Sequence, residues 1–280
     1  MNFHFLVNAL PEVESATLDD LADIRTIIET NLTAEAREAF HYLLYRNDNK
    51  NLLKLLRKRD GVLPRTAVHF YEPAVFSFED LEDILIDAYE GEYAPPAYMH
   101  QFLDEEKHAG FTVRERENRL VDLYYEEGTR HPQEYIREMF LFKRDLKNIL
   151  LALNARAQGF KITRITVGEY DLPAELAAAT QTDFGLSGQY AYIPELVALL
   201  NAGDLVHLEK RLDELLIEHL RMVVAGRIFS LNYVLHYFLK LSLFHRWLLL
   251  SPQKGERALE EIIEDIVTTA ERAAMTAGAA

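Results

Sequence analysis

Two carboxylate–imidazole pairs stand at helical spacing in the sequence, Glu38-x-x-His41 and Glu105-x-x-His108. That is the spacing used by di-iron sites in helical bundles, because both side chains then project from one face toward a shared metal. Such a site needs two further inward glutamates on other helices, and Glu105–His108 follows the Pro95-Pro96 break in a short, charged stretch. Both pairs are therefore expected at solvated surface positions, with His41 packing near a repeated helix, and neither a metal nor a cofactor is expected. Asp183-Phe184-Gly185 matches a kinase fragment, but no Gly-rich loop or His-Arg-Asp segment accompanies it, so it reads as a turn. There is no Gly-x-x-x-x-Gly-Lys-Ser/Thr phosphate loop, which argues against nucleotide hydrolysis by this chain. No Gly-x-Ser-x-Gly elbow occurs either, although a Ser/His/Asp triad scattered along the chain would leave no such mark. No catalytic residue is assigned.

The elements that must carry these residues are helical. Of 280 residues, 49% are apolar, 30 are basic and 45 acidic, for a net charge of −15. That much apolar surface can offset the ordering entropy of a packed core, which excludes a disordered chain. Only 12 Gly and 9 Pro occur, too few for a many-turned β architecture. The absence of cysteine removes disulfides, thiolate metal sites and cysteine nucleophiles, and makes a reducing cytoplasm the default compartment. Met1 to Leu10 lacks a basic flank and a cleavage signal, so a secretory leader is not expected. The most apolar window, Ile228 to Leu250, is interrupted by Asn232, His236, Lys240, His245 and Arg246, and reads as a buried core helix rather than a membrane span.

Start and stop signals divide the chain. Thr17 with Asp19 and Asp20 resembles a helix cap; Thr33 opens a long helix to about Asp60, closed by Gly61; Ser77 with Asp80 is a near-match to a capping box. Pro132 suits the first position of a helix reaching Gln158, with Gly159 as terminator, and Pro194 suits the start of another. Lys161 to Val167 is β-branched and reads as a short strand or extended connection. Val206 to Val223 carries an apolar stripe, and a last helix after Ser251-Pro252 carries another, through Leu259, Ile262, Ile263, Ile266 and Val267. The basic run Arg57-Lys58-Arg59 suits the negative end of its helix, and the Tyr124-Tyr125 pair and Trp247 are expected to anchor a core or an interface.

The chain also resembles itself. Shifting Tyr42–Val62 by 97 residues gives seven identities in 21 positions, including Asp48/Asp145, Lys50/Lys147 and Asn51/Asn148, with Arg46/Lys143 among the similar pairs. Shared Leu-rich composition can produce apolar matches, whereas three polar matches in register point to duplication. The acids and lysines lie two residues apart and cannot share a helical face, so Asp48 and Asp145 are expected to serve helix-to-helix hydrogen bonds or a partner contact. A third stretch, Arg227–Trp247, keeps the aromatic-apolar character with Lys240 and Arg246 but lacks the acid and the amide. Together the three stretches carry a net charge of +10 and the rest of the chain −25. Cationic helices are thus expected inside an anionic shell. An acidic surface disfavours nucleic acid, whose binding is driven by phosphate neutralisation, and an acidic rim could steer a basic partner.

The phrases Tyr135-Ile136, Phe142-Lys143-Arg144-Asp145-Leu146-Lys147-Asn148-Ile149-Leu150 and Tyr45-Arg46-Asn47-Asp48-Asn49-Lys50-Asn51-Leu52 resemble the repeated helices of the funnel-shaped central-stalk adaptor found in A-type and vacuolar-type rotary ATPases. The opening Phe5-Leu6-Val7-Asn8-Ala9-Leu10-Pro11 is similar to that of a bacterial family encoded beside such ATPases. The resemblance covers about three helices. It implies an all-α cup, a single domain over residues 1–280 with three related helical modules at about 1–92, 93–192 and 193–280 around a pseudo-three-fold axis. It also implies a non-catalytic adaptor that joins the rotating shaft to the membrane rotor ring, held at the cytoplasmic face of the inner membrane by protein contacts. Asp48, Lys50, Asn51, Asp145, Lys147, Asn148, Lys240 and Arg246 are then the structural or partner-binding positions. Leu241 and Leu243 depart from the family pattern in the third module. A helical metalloenzyme, or a scaffold for another soluble partner, are the alternatives.

Overall fold

A computed structural model describes residues 3–13, 20–61, 69–159, 162 and 167–250. The regular structure among them is helical throughout, with no strand, in agreement with the all-α expectation. The helices are α1 (His4–Ala9), α2 (Asp20–Asn31), α3 (Ala34–His41), α4 (Tyr45–Arg59), α5 (Phe78–Leu85), α6 (Ala97–Ala109), α7 (Val113–Thr129), α8 (Glu134–Gln158), α9 (Asp171–Ala178), α10 (Ile193–Ala202), α11 (Leu205–Val224) and α12 (Leu231–Leu249). The Thr17 cap, the Lys161–Val167 connection apart from its flanks, and the helix after Ser251 lie outside the described residues.

Local chemistry accounts for several boundaries. At α5, Ser77 Oγ accepts the Asp80 N–H (3.0 Å) and Asp80 returns a carboxylate to the Ser77 N–H (2.8 Å), a reciprocal cap. Thr112 and Glu115 make the same box at α7. Gly159 ends α8 with φ +72°, a conformation that a side chain disfavours. α8 begins two residues later than Pro132: Gln133 is its cap, accepting the Ile136 N–H through its side chain.

The long helix expected from Thr33 to Asp60 is instead two helices. Thr33 caps α3, and the chain turns at Tyr42–Leu44 before α4. Ala39, Phe40, His41, Tyr42, Leu44 and Tyr45 are all buried. One straight helix shows only a stripe of its surface to a core, so a run of buried neighbours requires the axis to be re-aimed.

α8 is the central element, packing against α7, α9, α11 and α12. Its first half joins a large apolar cluster built on α1 to α8, α11 and α12, with Phe40, Tyr45, Tyr98, Tyr135, Phe140 and Phe238 fully enclosed. Its second half joins a smaller cluster with α9, α10 and the first half of α11. Gly128 on α7 makes the α7–α8 approach possible, since a Cβ there would collide with the Phe140 ring. α12 is core only in part: Asn232 to Leu241 supplies its buried residues, while Ile228, Phe229 and Leu248 to Leu250 are exposed. Among the described residues no helix is long and apolar enough to cross a membrane.

Candidate functional site

The repeat seen in the sequence has a hydrogen-bonding counterpart. Asn51 on α4 donates from Nδ2 to the Tyr71 carbonyl (3.0 Å) and accepts the Tyr71 N–H at Oδ1 (2.9 Å). Asn148 on α8 does the same to Val167, at 2.9 Å and 2.7 Å. A side-chain amide presents the same donor and acceptor pair as a peptide group, so each Asn pairs with a backbone residue as a neighbouring strand would. The clamped residue lies 20 positions after Asn51 and 19 after Asn148. In both copies the clamped residue is followed by a short helix, α5 or α9, packed on the same long one. A cation covers this stretch in each: Lys54 lies over Tyr71 and Arg144 over Tyr170, 4.0 Å and 3.6 Å from the ring centres.

The aspartates of the repeat diverge. Asp48 is fully buried and accepts the backbone N–H groups of Val75 (3.1 Å) and Phe76 (2.9 Å). Burial pushes its carboxyl up to about 7, against the pull of those N–H donors. Asp145 accepts the hydroxyls of Tyr170 (2.8 Å) and Tyr190 (2.9 Å). All four acid and amide positions thus hydrogen-bond to segments of this chain that follow their helices.

The lysines reach further round their helices, although Lys50 Nζ also lies 4.6 Å from the Tyr71 ring centre. Lys50 and Lys147 line a cavity of about 500 Å³ between α4, α7, α8, α11 and α12, together with Arg46, Lys143 and Arg246. Arg46 and Lys50 are four residues apart on α4, and Lys143 and Lys147 are four apart on α8, so each helix turns two like charges to the same side. Burial pushes Lys50 down to about 8, and Arg46, Arg246 and Lys54 add to the effect. Lys143 is pushed down to about 7 by burial and then by Arg46, with Asp213 pulling the other way. Lys147 is lowered by burial and Arg46. Among the described residues Arg46, Lys50, Lys143 and Lys147 have no salt-bridge partner. Arg246 pairs with Asp213 on α11, which also accepts Trp247 Nε1 at 2.8 Å, yet Arg246 Nε is buried without a partner. Of the cations in the three stretches, these five line the cavity, whereas Arg46 is itself exposed and Arg59 and Arg227 lie on the surface. Lys240 is not among its lining residues; its charge bears on His236, on α12.

A model of the DUF2764 family, described as a protein of unknown function, matches residues 1–270. The chain belongs to that family. A comparison with curated proteins gives no match.

The remaining sequence candidates have structural partners. His41 is buried rather than solvated, with Nε2 3.3 Å from Glu29 and its ring edge-on to Tyr93. Glu105 holds Arg119 through both oxygens, at 2.5 and 2.6 Å. Among the described residues no group of three or more His, Asp or Glu could hold a metal ion. Asp183-Phe184-Gly185 is a turn, in which Asp183 accepts the Gly185 N–H and Phe184 is buried under Arg156. Arg57, Lys58 and Arg59 pair with Glu117, Glu82 and Glu106. Tyr124 and Tyr125 pack on Phe140 and also line the cavity.

Sequence reasoning did not single out Arg46 and Lys143 as site residues. The signal was present: they match each other at the same 97-residue shift and precede Lys50 and Lys147 by one helical turn. Asp213 left no comparable mark.

Proposed function

We propose that this chain is a non-catalytic docking adaptor, the central-stalk piece of an A-type or vacuolar-type rotary ATPase that joins the rotating shaft to the membrane rotor ring. One observation carries the reading: matched positions of two repeated helices supply both the clamps that fix the frame and the cations that line a cavity between them. An enzyme of comparable size gathers reactive groups around substrate. Here the acids of the repeat are committed to backbone and tyrosine donors. The resemblance of these same helices to the central-stalk adaptor supports the choice of partner, as do the two apolar clusters packed along α8, because a part that transmits torque must be stiff. In this reading the third module is the one built on α12, the three modules are arranged about a pseudo-three-fold axis, and the chain sits at the cytoplasmic side of the membrane through its protein contacts alone.

The test is retention of the ATPase. The affinity-tagged full chain, expressed in its own cell, is expected to retain shaft and ring subunits at fixed ratio. Recovery of the tagged chain free of both, with the ATPase assembled normally in cells lacking it, rules the adaptor out and leaves a scaffold for another partner.

A further inference from the structure

We propose that the cavity between α4, α7, α8, α11 and α12 receives a carboxylate-bearing, amphipathic segment of a partner polypeptide, whose acidic side chains meet Arg46, Lys50, Lys143, Lys147 and Arg246. The inference rests on the adaptor reading, which supplies the partner, and adds its chemistry: the inserted part is acidic, the reverse of the basic segment that an acidic rim would attract.

Three observations select this ligand. The cations exceed the acids of the lining, Glu209 and Asp213, by three. Four of them lack a salt-bridge partner among the described residues, and a buried Nε of the fifth is unsatisfied. Such an arrangement of like charges opposes folding of the empty chain, and an anion relieves it. The rest of the wall is apolar and aromatic, through Leu53, Tyr124, Tyr125, Leu146, Leu150 and Leu216. A compact polyanion such as a phosphate chain would leave that wall uncovered and would meet Glu209 and Asp213. A peptide with spaced carboxylates and apolar side chains between them can match both surfaces. Phosphate sites often add free backbone N–H groups at helix N-termini to such side chains. Arg46 to Leu53 and Lys143 to Asn154 lie inside α4 and α8, and the α8 residues are well within the helix, where those groups are already hydrogen-bonded.

Trp247 is the sole tryptophan and shares Asp213 with Arg246, so its fluorescence reports on the cavity without any substitution. The full chain is titrated with a blocked peptide of alternating glutamate and leucine and, separately, with tripolyphosphate. The expected result is saturable peptide binding, read by fluorescence and by calorimetry. It weakens about tenfold or more in the Lys50→Gln/Lys147→Gln variant. It is unchanged in Lys58→Gln, whose lysine pairs with Glu82. No peptide binding by either readout, equal affinity for the double variant, or binding of tripolyphosphate alone overturns the inference. Should the double variant fail to fold, the wild-type salt series decides: affinity falling several-fold with rising salt supports the inference, and salt-independent affinity overturns it. Peptide binding without retention of ATPase subunits leaves this inference standing and removes the adaptor assignment. Retention undiminished by the double substitution does the opposite.

Discussion

At the scale of single residues, Asn51 and Asn148 are the positions on which the repeated architecture turns. Each makes two hydrogen bonds to one backbone residue, and both are fully buried. Replacing either by Ala strands a backbone donor and acceptor, and is expected to cost about 2–4 kcal/mol in urea unfolding. Asn154→Ala, at an exposed position of the same helix, should stay within about 0.5 kcal/mol. His236 supplies a pH-dependent prediction. Its Nδ1 stands 3.2 Å from the Tyr135 hydroxyl, and burial, with Lys240 and Arg221, pushes it down to about 4. The folded state holds it neutral where the unfolded chain binds a proton, so its contribution is complete above about pH 6.5 and is lost as pH falls toward 4. His236→Gln should reduce the stability difference between pH 7 and pH 5 by about 1–2 kcal/mol, measured by denaturation at both.

At the scale of elements, legibility in the sequence followed the range of the cause. The Ser77–Asp80 box was legible because both partners lie within four residues, and Ser77→Ala should lower stability by about 1 kcal/mol. Gly159 as the end of α8 was legible for the same reason. The division of α3 from α4 was not, because it follows from burial on all sides of Tyr42, which depends on α7, α8 and the residues around His131. Nor was the role of Gly128, which looks like a weak helical residue until Phe140 is placed against it. Gly128→Ala raises intrinsic helix propensity, yet it should destabilise by about 1–3 kcal/mol in thermal or urea unfolding, because the ring must move. A neutral or stabilising result would mean that the α7–α8 approach is looser than this packing requires.

At the scale of the whole molecule, an acidic chain gathers five cations around one cavity. Lys143 shows what that arrangement costs. The folded state lowers it to about 7, so the unfolded chain binds the proton more tightly between about pH 7 and pH 10, and stability rises with pH across that window. Lys143→Met should therefore stabilise the free chain at pH 7 by about 1–2 kcal/mol and flatten that rise, measured by urea unfolding at pH 7 and pH 9. A gain in stability accompanied by weaker binding of an acidic peptide would identify the charge as retained for binding.

Composition and periodicity determined by themselves that the chain is helical, where several of its helices start, that two helices share a motif at a 97-residue shift and that both carry excess positive charge. These are properties of neighbours along the chain, set by propensity, capping and face-to-face spacing. The division of labour within the copies was decided by the tertiary structure. Asp48, Asn51, Asp145 and Asn148 turn toward segments 19 to 45 residues further along the chain, while Arg46, Lys50, Lys143 and Lys147 line a space bounded by α7, α11 and α12. Helical geometry separates the two sets onto different faces, but which face meets the chain's own backbone and which remains open depends on elements too distant in sequence for spacing to reveal.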